Sequence, residues 1–206
     1  REGYEQVISA LKERNPIPSL LSGGDDVKVL LVFDQEDATS PLVRMQRIES
    51  DLQSTSDFWR NISFLAINGF DNLFEHRQGQ LHIVLHISNP SIEGIPRRDF
   101  DGYILQILQG SYKRDIARRL LLEEYSGQID DLLLKAEQEL TELMRRNGFP
   151  WTHPKSWLYA YITVFQYRQS HVWFAVEVVR HTPNDELQRL FAPLIAAWER
   201  LIDGGD

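Results

Sequence analysis

Three carboxylates, in the run Asp34-Gln35-Glu36-Asp37, stand directly after Val27–Phe33, a continuous apolar stretch of the kind that forms a buried central strand. Ligand and metal sites gather at the carboxyl ends of strands, where the fold gives rigid support beside an open mouth. Oxygen donors there suit Mg²⁺ or Mn²⁺, and such a metal activates water or steadies a phosphoryl group. Asp34, Glu36 and Asp37 are thus candidate ligands of a Mg- or Mn-dependent phosphoesterase or nuclease. That chemistry requires the carboxylates to converge within about 5 Å around a concave pocket. An acidic loop after a strand in an acidic chain is the plainer account of the same residues.

Two histidines, His82 and His86, would share one face of a helix. The local pattern is that of a strand: Leu81, Ile83, Leu85 and Ile87 alternate with His82, Val84, His86 and Ser88. Along a strand the two imidazoles stand about 13 Å apart, too far to share one zinc. A third group is basic. Arg97, Arg98, Lys113, Arg114, Arg118 and Arg119, against Asp99, Asp101 and Asp115, leave that segment at net +3 in a chain of net charge −8. Arg114 and Arg118 lie four apart on a predicted helix, and the arginine fork suits phosphate or carboxylate. Arg97, Arg98, Arg114 and Arg118 are therefore candidate contacts for an anion or an acidic partner. The alternative is a solvated face that pairs with Glu123, Glu124 or neighbouring acidic helices.

Known catalytic templates fail in turn. The acidic run is similar to the Asp-x-Asp signature of phosphotransferases of the haloacid dehalogenase type, but Glu occupies position 36 and no matching downstream lysine and acidic pair follows. His86-Ile87-Ser88 resembles one half of the paired motif of two-histidine phosphoesterases, and the second copy is missing. Gly23-Gly24 lacks the Lys-Ser/Thr of a phosphate loop, and no Gly-x-Ser-x-Gly elbow occurs. The chain has no cysteine, which excludes disulfides, thiolate catalysis and Cys-based zinc or iron–sulfur sites.

The elements that position these residues follow from periodicity. Tyr4, Val7, Ile8 and Leu11 predict a helix over about 2–14. Ser40-Pro41 reads as an N-cap with proline in the first turn, opening a helix through Leu52. Asn61–Ile67 reads as a strand, and Leu73–His76 with Leu81–Ser88 as a hairpin around Arg77-Gln78-Gly79. Two helices are expected at about 101–125 and 128–147, separated by Ser126-Gly127 and closed by Asn147-Gly148 with Pro150 beyond. Trp157, Tyr159, Tyr161, Phe165 and Tyr167 share one parity, so Trp157–Arg168 and His171–Arg180 read as an aromatic hairpin turning at Gln169-Ser170. Cross-strand pairs would then join Phe165 to Phe174 and Tyr161 to Val178. A helix with an apolar stripe of Leu187, Leu190, Phe191, Leu194, Ile195, Trp198 and Leu201 follows from Asn184.

Together these give an α+β fold in the order α-β-α-β-β-β-α-α-β-β-α. The expected sheet is mixed, largely antiparallel, of five to six strands, in one domain over 1–206. At 42% apolar and 25% charged residues the composition is that of a globular protein. The acidic balance argues against nucleic acid and anionic membrane as partners, and no stretch reaches the ~18 apolar residues of a membrane span. No signal-peptide pattern precedes the first helix, which points to the cytoplasm. The sequence-level expectation for function is a non-catalytic protein-interaction or regulatory module without a cofactor. It would engage a protein partner or self-associate through Trp173, Leu194 and Trp198, since the C-terminal stripe is wider than one sheet face needs.

Overall fold

A computed structural model describes residues 2–13, 15–121, 127–148 and 152–202. Its contacts divide into two compact units, one of Arg1–Ser88 with Phe191–Asp206 and the other of Asn89–Leu190.

The first unit is built on a four-stranded sheet of β1 (Val27–Asp34), β2 (Leu65–Ala66), β3 (Leu73–Gln78) and β4 (Leu81–Ser88), in spatial order β1-β4-β3-β2. β1 pairs parallel with β4, while β3 pairs antiparallel with both β4 and β2. The β3–β4 hairpin turns at Gly79, whose φ of +57° is a left-handed conformation that glycine adopts without strain. β1 is an edge strand, and β4 is an interior one, with all eight of its residues buried. The apolar run of β1 identified a strand but not its place. β1 buries Val27, Leu31 and Phe33 on one face, while on the other Leu30 is only partly buried and Val32 is exposed, so a continuous apolar run does not require a fully buried strand with neighbours on both sides.

Parallel pairing keeps register partners on one face. Leu31 and Phe33 of β1 join Ile83, Leu85 and Ile87 of β4 in a core with Met45, Ile48 and Leu52 of α3 (Pro41–Gln53). Tyr4, Ile8 and Leu11 of α1 (Glu2–Glu13) pack on the same cluster, with Ile17 of α2 (Ile17–Ser22). The cap read from Ser40 is present: its hydroxyl accepts from the Val43 N–H at 3.2 Å, with Pro41 behind it. The opposite face, with Leu30, Val84 and Leu73, is covered by Ala197 and Leu201 of the last helix, Ala192–Ile202.

That last helix is pinned by charge as well as by packing. Arg200 donates to both oxygens of Glu75, at 2.7 and 3.1 Å. Hydrogen bonds from Arg200, supported by Arg77 and opposed by burial, bring the Glu75 carboxyl from 4.5 down to about 2. The stability this pair contributes is present above pH 4.5 and is lost as pH falls through 2, because only the unfolded carboxylate takes up a proton in that window. The pair is partly solvated, so the loss is expected to be about 1–2 kcal/mol. Urea denaturation at pH 5 and pH 2.5 on wild type and Glu75→Gln measures it, and equal falls in both proteins would disprove it.

The second unit is helical: α4 (Asp101–Gln109), α5 (Lys113–Leu120), α6 (Ile129–Leu134), α7 (Leu140–Arg146), α8 (Pro154–Val164), α9 (His171–Arg180) and α10 (Asn184–Leu190). The final helix of the first unit is α11 (Ala192–Ile202). α4 packs on both α8 and α9. The helix expected over 101–125 divides at Gly110, and its end at 122–125 and Ser126 lie outside the described residues, as do Arg14 and Pro150. The helix expected over 128–147 is continuous through a π segment, Lys135–Glu139, which joins α6 to α7. The helix from Asn184 breaks at Phe191. Pro193 has no N–H to bond the carbonyl four residues back, so the helical ladder cannot run through it.

The fold is α+β, as expected, but among the described residues the sheet has four strands and not five to six, and the element order differs. Asn61–Ile67 contributes only the two-residue β2. The larger correction is the aromatic hairpin: Trp157–Val164 lies in the helix α8, Phe165–Arg168 turns out of it, and His171–Arg180 forms the helix α9. Pro154 starts α8, and Pro154, Leu158, Tyr161 and Phe165 recur at helical spacing; these are side chains that it buries, along with Ala160. Ser170 caps α9, accepting from the Trp173 N–H at 3.4 Å. Aromatic parity is a β-propensity signal, and tertiary burial of a 3.6-residue stripe outweighs it. Phe165 and Phe174 do meet, with ring centroids 6.3 Å apart, but as neighbouring helices and not as a strand pair.

Candidate functional site

The loop after β1 is organised around an arginine. Arg44 of α3 is buried; its Nε donates to the Asp34 carbonyl at 2.9 Å, and its Nη2 lies 3.7 Å from Glu36. Its guanidinium also stacks 4.5 Å over the Tyr4 ring. Glu36 adopts a left-handed φ of 58°, and Asp37 is exposed, 3.7 Å from Arg47. Gln35 turns inward and its amide donates to the Ala38 carbonyl at 2.7 Å. Among the described residues no three His, Asp or Glu side chains are grouped to hold a metal ion. Asp34 ends β1, Glu36 and Asp37 follow in the loop, and these last two face separate arginines of α3.

His82 and His86 occupy the helix-covered face of the sheet, as the alternation of β4 requires. His82 Nε2 is 3.3 Å from Glu75, while His86 lies 3.4 Å from the Asn72 amide. Burial lowers the pKa of both, that of His86 to about 4.

The basic residues are placed among acids. Arg97 lies 3.7 Å from Asp99, Arg114 2.7 Å from Asp130, Arg118 3.1 Å from Asp115, and Lys113 3.0 Å from Glu137. Arg98 is half-buried. Glu123 and Glu124, the partners suggested by sequence, lie outside the described residues.

The interface candidates stand in a different setting. Trp173 on α9 is 55% exposed, and Trp198 on α11 is 57% exposed. Leu194 is half-buried, on the same side of α11 as Ala197 and Leu201 by helical spacing. α11 therefore carries two apolar rows, one of Ala197 and Leu201 packed on the sheet with half-buried Leu194 in line with them, and one of Ile195, Trp198 and Ile202 left exposed. α9 is built alike: Phe174 and Val178 are buried one turn apart, while Val172, Trp173 and Val176 stay in solvent.

The outward row of α9 lines an open groove of about 380 Å³. His171, Val172, Ala175, Val176 and Val179 form one wall, and Phe100, Asp101 and Ile104 at the start of α4 form the other. Asp101 is half-buried, and burial raises its pKa against the opposing charges of Lys155 and His171. The sequence singles out Trp173 by its type, but this groove, which Trp173 does not line, was not foreseen. Val172, Val176 and Val179 at i, i+4 and i+7, behind the Ser170 cap, would have disclosed it had the segment been read with a helical period.

Comparison with protein-family models, curated proteins and solved structures yields no match. Among the described residues no helix is long and apolar enough to cross a membrane.

Proposed function

We propose that this chain is a non-catalytic protein-interaction or regulatory module that binds a protein partner, or a second copy of itself, through exposed apolar helix faces. The observation that carries the reading is the second apolar row of α9. Phe174 and Val178 already satisfy its packing, yet Val172, Trp173 and Val176 present three further large side chains to water. Apolar surface concentrated beside an open groove is costly in water, and it is the kind of patch that interfaces bury. Trp173 stands to one side of that groove, and an exposed tryptophan is an expected binding hot spot. The exposed stripe of α11 adds a second face of the same character.

Trp173→Glu and Trp198→Glu test the reading, because both side chains are more than half exposed and their replacement leaves the cores intact. Proximity labelling with the full chain in its source cells is expected to recover a protein whose capture fails with at least one variant. Light scattering across a range of concentrations reports self-association in the same proteins. If neither readout distinguishes wild type from the two variants, the interaction reading is wrong.

A further inference from the structure

We propose that the groove between α4 and α9 receives an amphipathic helix of a partner protein, whose apolar face lies along Val172, Val176 and Val179 and whose lysine or arginine meets Asp101. This rests on the interaction reading above and adds the partner's chemistry. The walls of the groove are apolar and open, with Phe100, Val172 and Val176 all exposed, so the groove suits an extended occupant better than an enclosed small molecule. From His171 to Val179 the wall runs about 12 Å, or about two turns, which matches side chains at i, i+4 and i+7 of a docked helix.

Asp101 supplies the charge selectivity. Its carboxylate lines the groove, half-buried, and makes no ion pair among the described residues. The charged or titratable groups near it are Lys155 on α8 and His171 on α9, the latter 3.4 Å from the Tyr159 hydroxyl. Burial still outweighs both, so the carboxylate is under-compensated where it stands. A place in the first turn of α4 accounts for an acid there through the helix dipole, but not for the apolar walls around it. A cation brought by the partner would relieve that burial.

The probe is a displayed library of helical peptides, each about 16 residues long so that helix formation is feasible in water. Every member has apolar residues at i, i+4 and i+7 and Lys, Glu or Gln at random elsewhere. Selection on the full chain is expected to enrich lysine at one fixed position beside the apolar row. The best peptide, measured by fluorescence anisotropy, should lose at least about tenfold in affinity with Asp101→Asn. It should lose more with Val176→Arg, which fills the groove and repels the cation, while circular dichroism shows both variants folded. A winning peptide with Glu at that position, or one indifferent to Asp101→Asn, overturns the charge assignment. Binding that survives Val176→Arg overturns the groove and leaves the interaction reading standing. If no peptide is enriched, the docking proposal fails, and the tryptophan variants above decide the broader reading separately.

Discussion

Phe174→Ala is expected to destabilise the protein by about 3–5 kcal/mol, the range for deleting a fully buried aromatic ring. Phe174 is completely buried, with the rings of Tyr167 and Phe165 at 5.2 and 6.3 Å between centroids. Deleting it leaves a void between α8 and α9 that the surrounding rings fill only in part. The companion pair is more discriminating. A strand would put Phe174, Val176 and Val178 on one face, whereas a helix puts Phe174 with Val178 and turns Val176 outward. Val178 is completely buried and Val176 is exposed. Val178→Ala should therefore cost about 2 kcal/mol and Val176→Ala less than about 0.5. Denaturant midpoints at constant slope measure all three. Equal costs at 176 and 178 would disprove the helical assignment of this segment.

The second large effect is a pH dependence centred on His86. Its ring is buried on the α11 side of the sheet, beside Val84 and Leu73 in the strand register. The Asn72 amide donates to the Ile87 carbonyl at 3.1 Å and lies 3.4 Å from His86 Nε2, which makes that nitrogen the acceptor and leaves the proton on Nδ1. Nδ1 has no hydrogen-bond partner among the described residues, and burial is the cause that lowers the pKa from 6.5 to about 4. Protonating the imidazole in place means charging it without compensation. Below pH 6.5 the unfolded chain binds a proton that the folded one refuses until about pH 4. Stability therefore falls with pH across that window, by up to about 3 kcal/mol. His86→Leu should flatten the profile between pH 7 and 4 and cost little at pH 7, because it removes a buried donor together with the ring. The lower limb, from pH 4.5 toward 2, belongs to Glu75 and should persist in that variant. A His86→Leu profile parallel to wild type between pH 7 and 4 would rule the mechanism out.

The candidate surface was legible only in part. Trp173 and Trp198 were identified because large aromatics in amphipathic segments are the residues interfaces use, and both are exposed in the structure. Asp101 was read only as a counter-charge to its basic neighbours. The role proposed for it depends on α9 coming to rest against α4, a contact between residues some 70 positions apart that no local pattern encodes. The acidic loop at 34–37 shows the converse. Its composition suggests metal chemistry, and only the placement of α3 shows that Arg44 and Arg47 face two of its carboxylates.

Read alone, the residues determined what local physics controls. The Ser40 cap with Pro41, the alternation that puts Leu81, Ile83, Leu85 and Ile87 opposite His82, Val84, His86 and Ser88, the hairpin turn at Gly79 and the amphipathic α1 all depend on neighbours within one or two turns, or on a strand's own period. The tertiary structure decided the rest. It set β1 parallel to β4 at the sheet's edge, brought α11 back across the sheet to meet Glu75 through Arg200, and made helices of two segments whose aromatic parity favours strands. Each of these depends on which surfaces are buried against distant parts of the chain. Burial of a matched stripe stabilises by several kcal/mol, whereas the propensity that opposes it spans only about 1 kcal/mol.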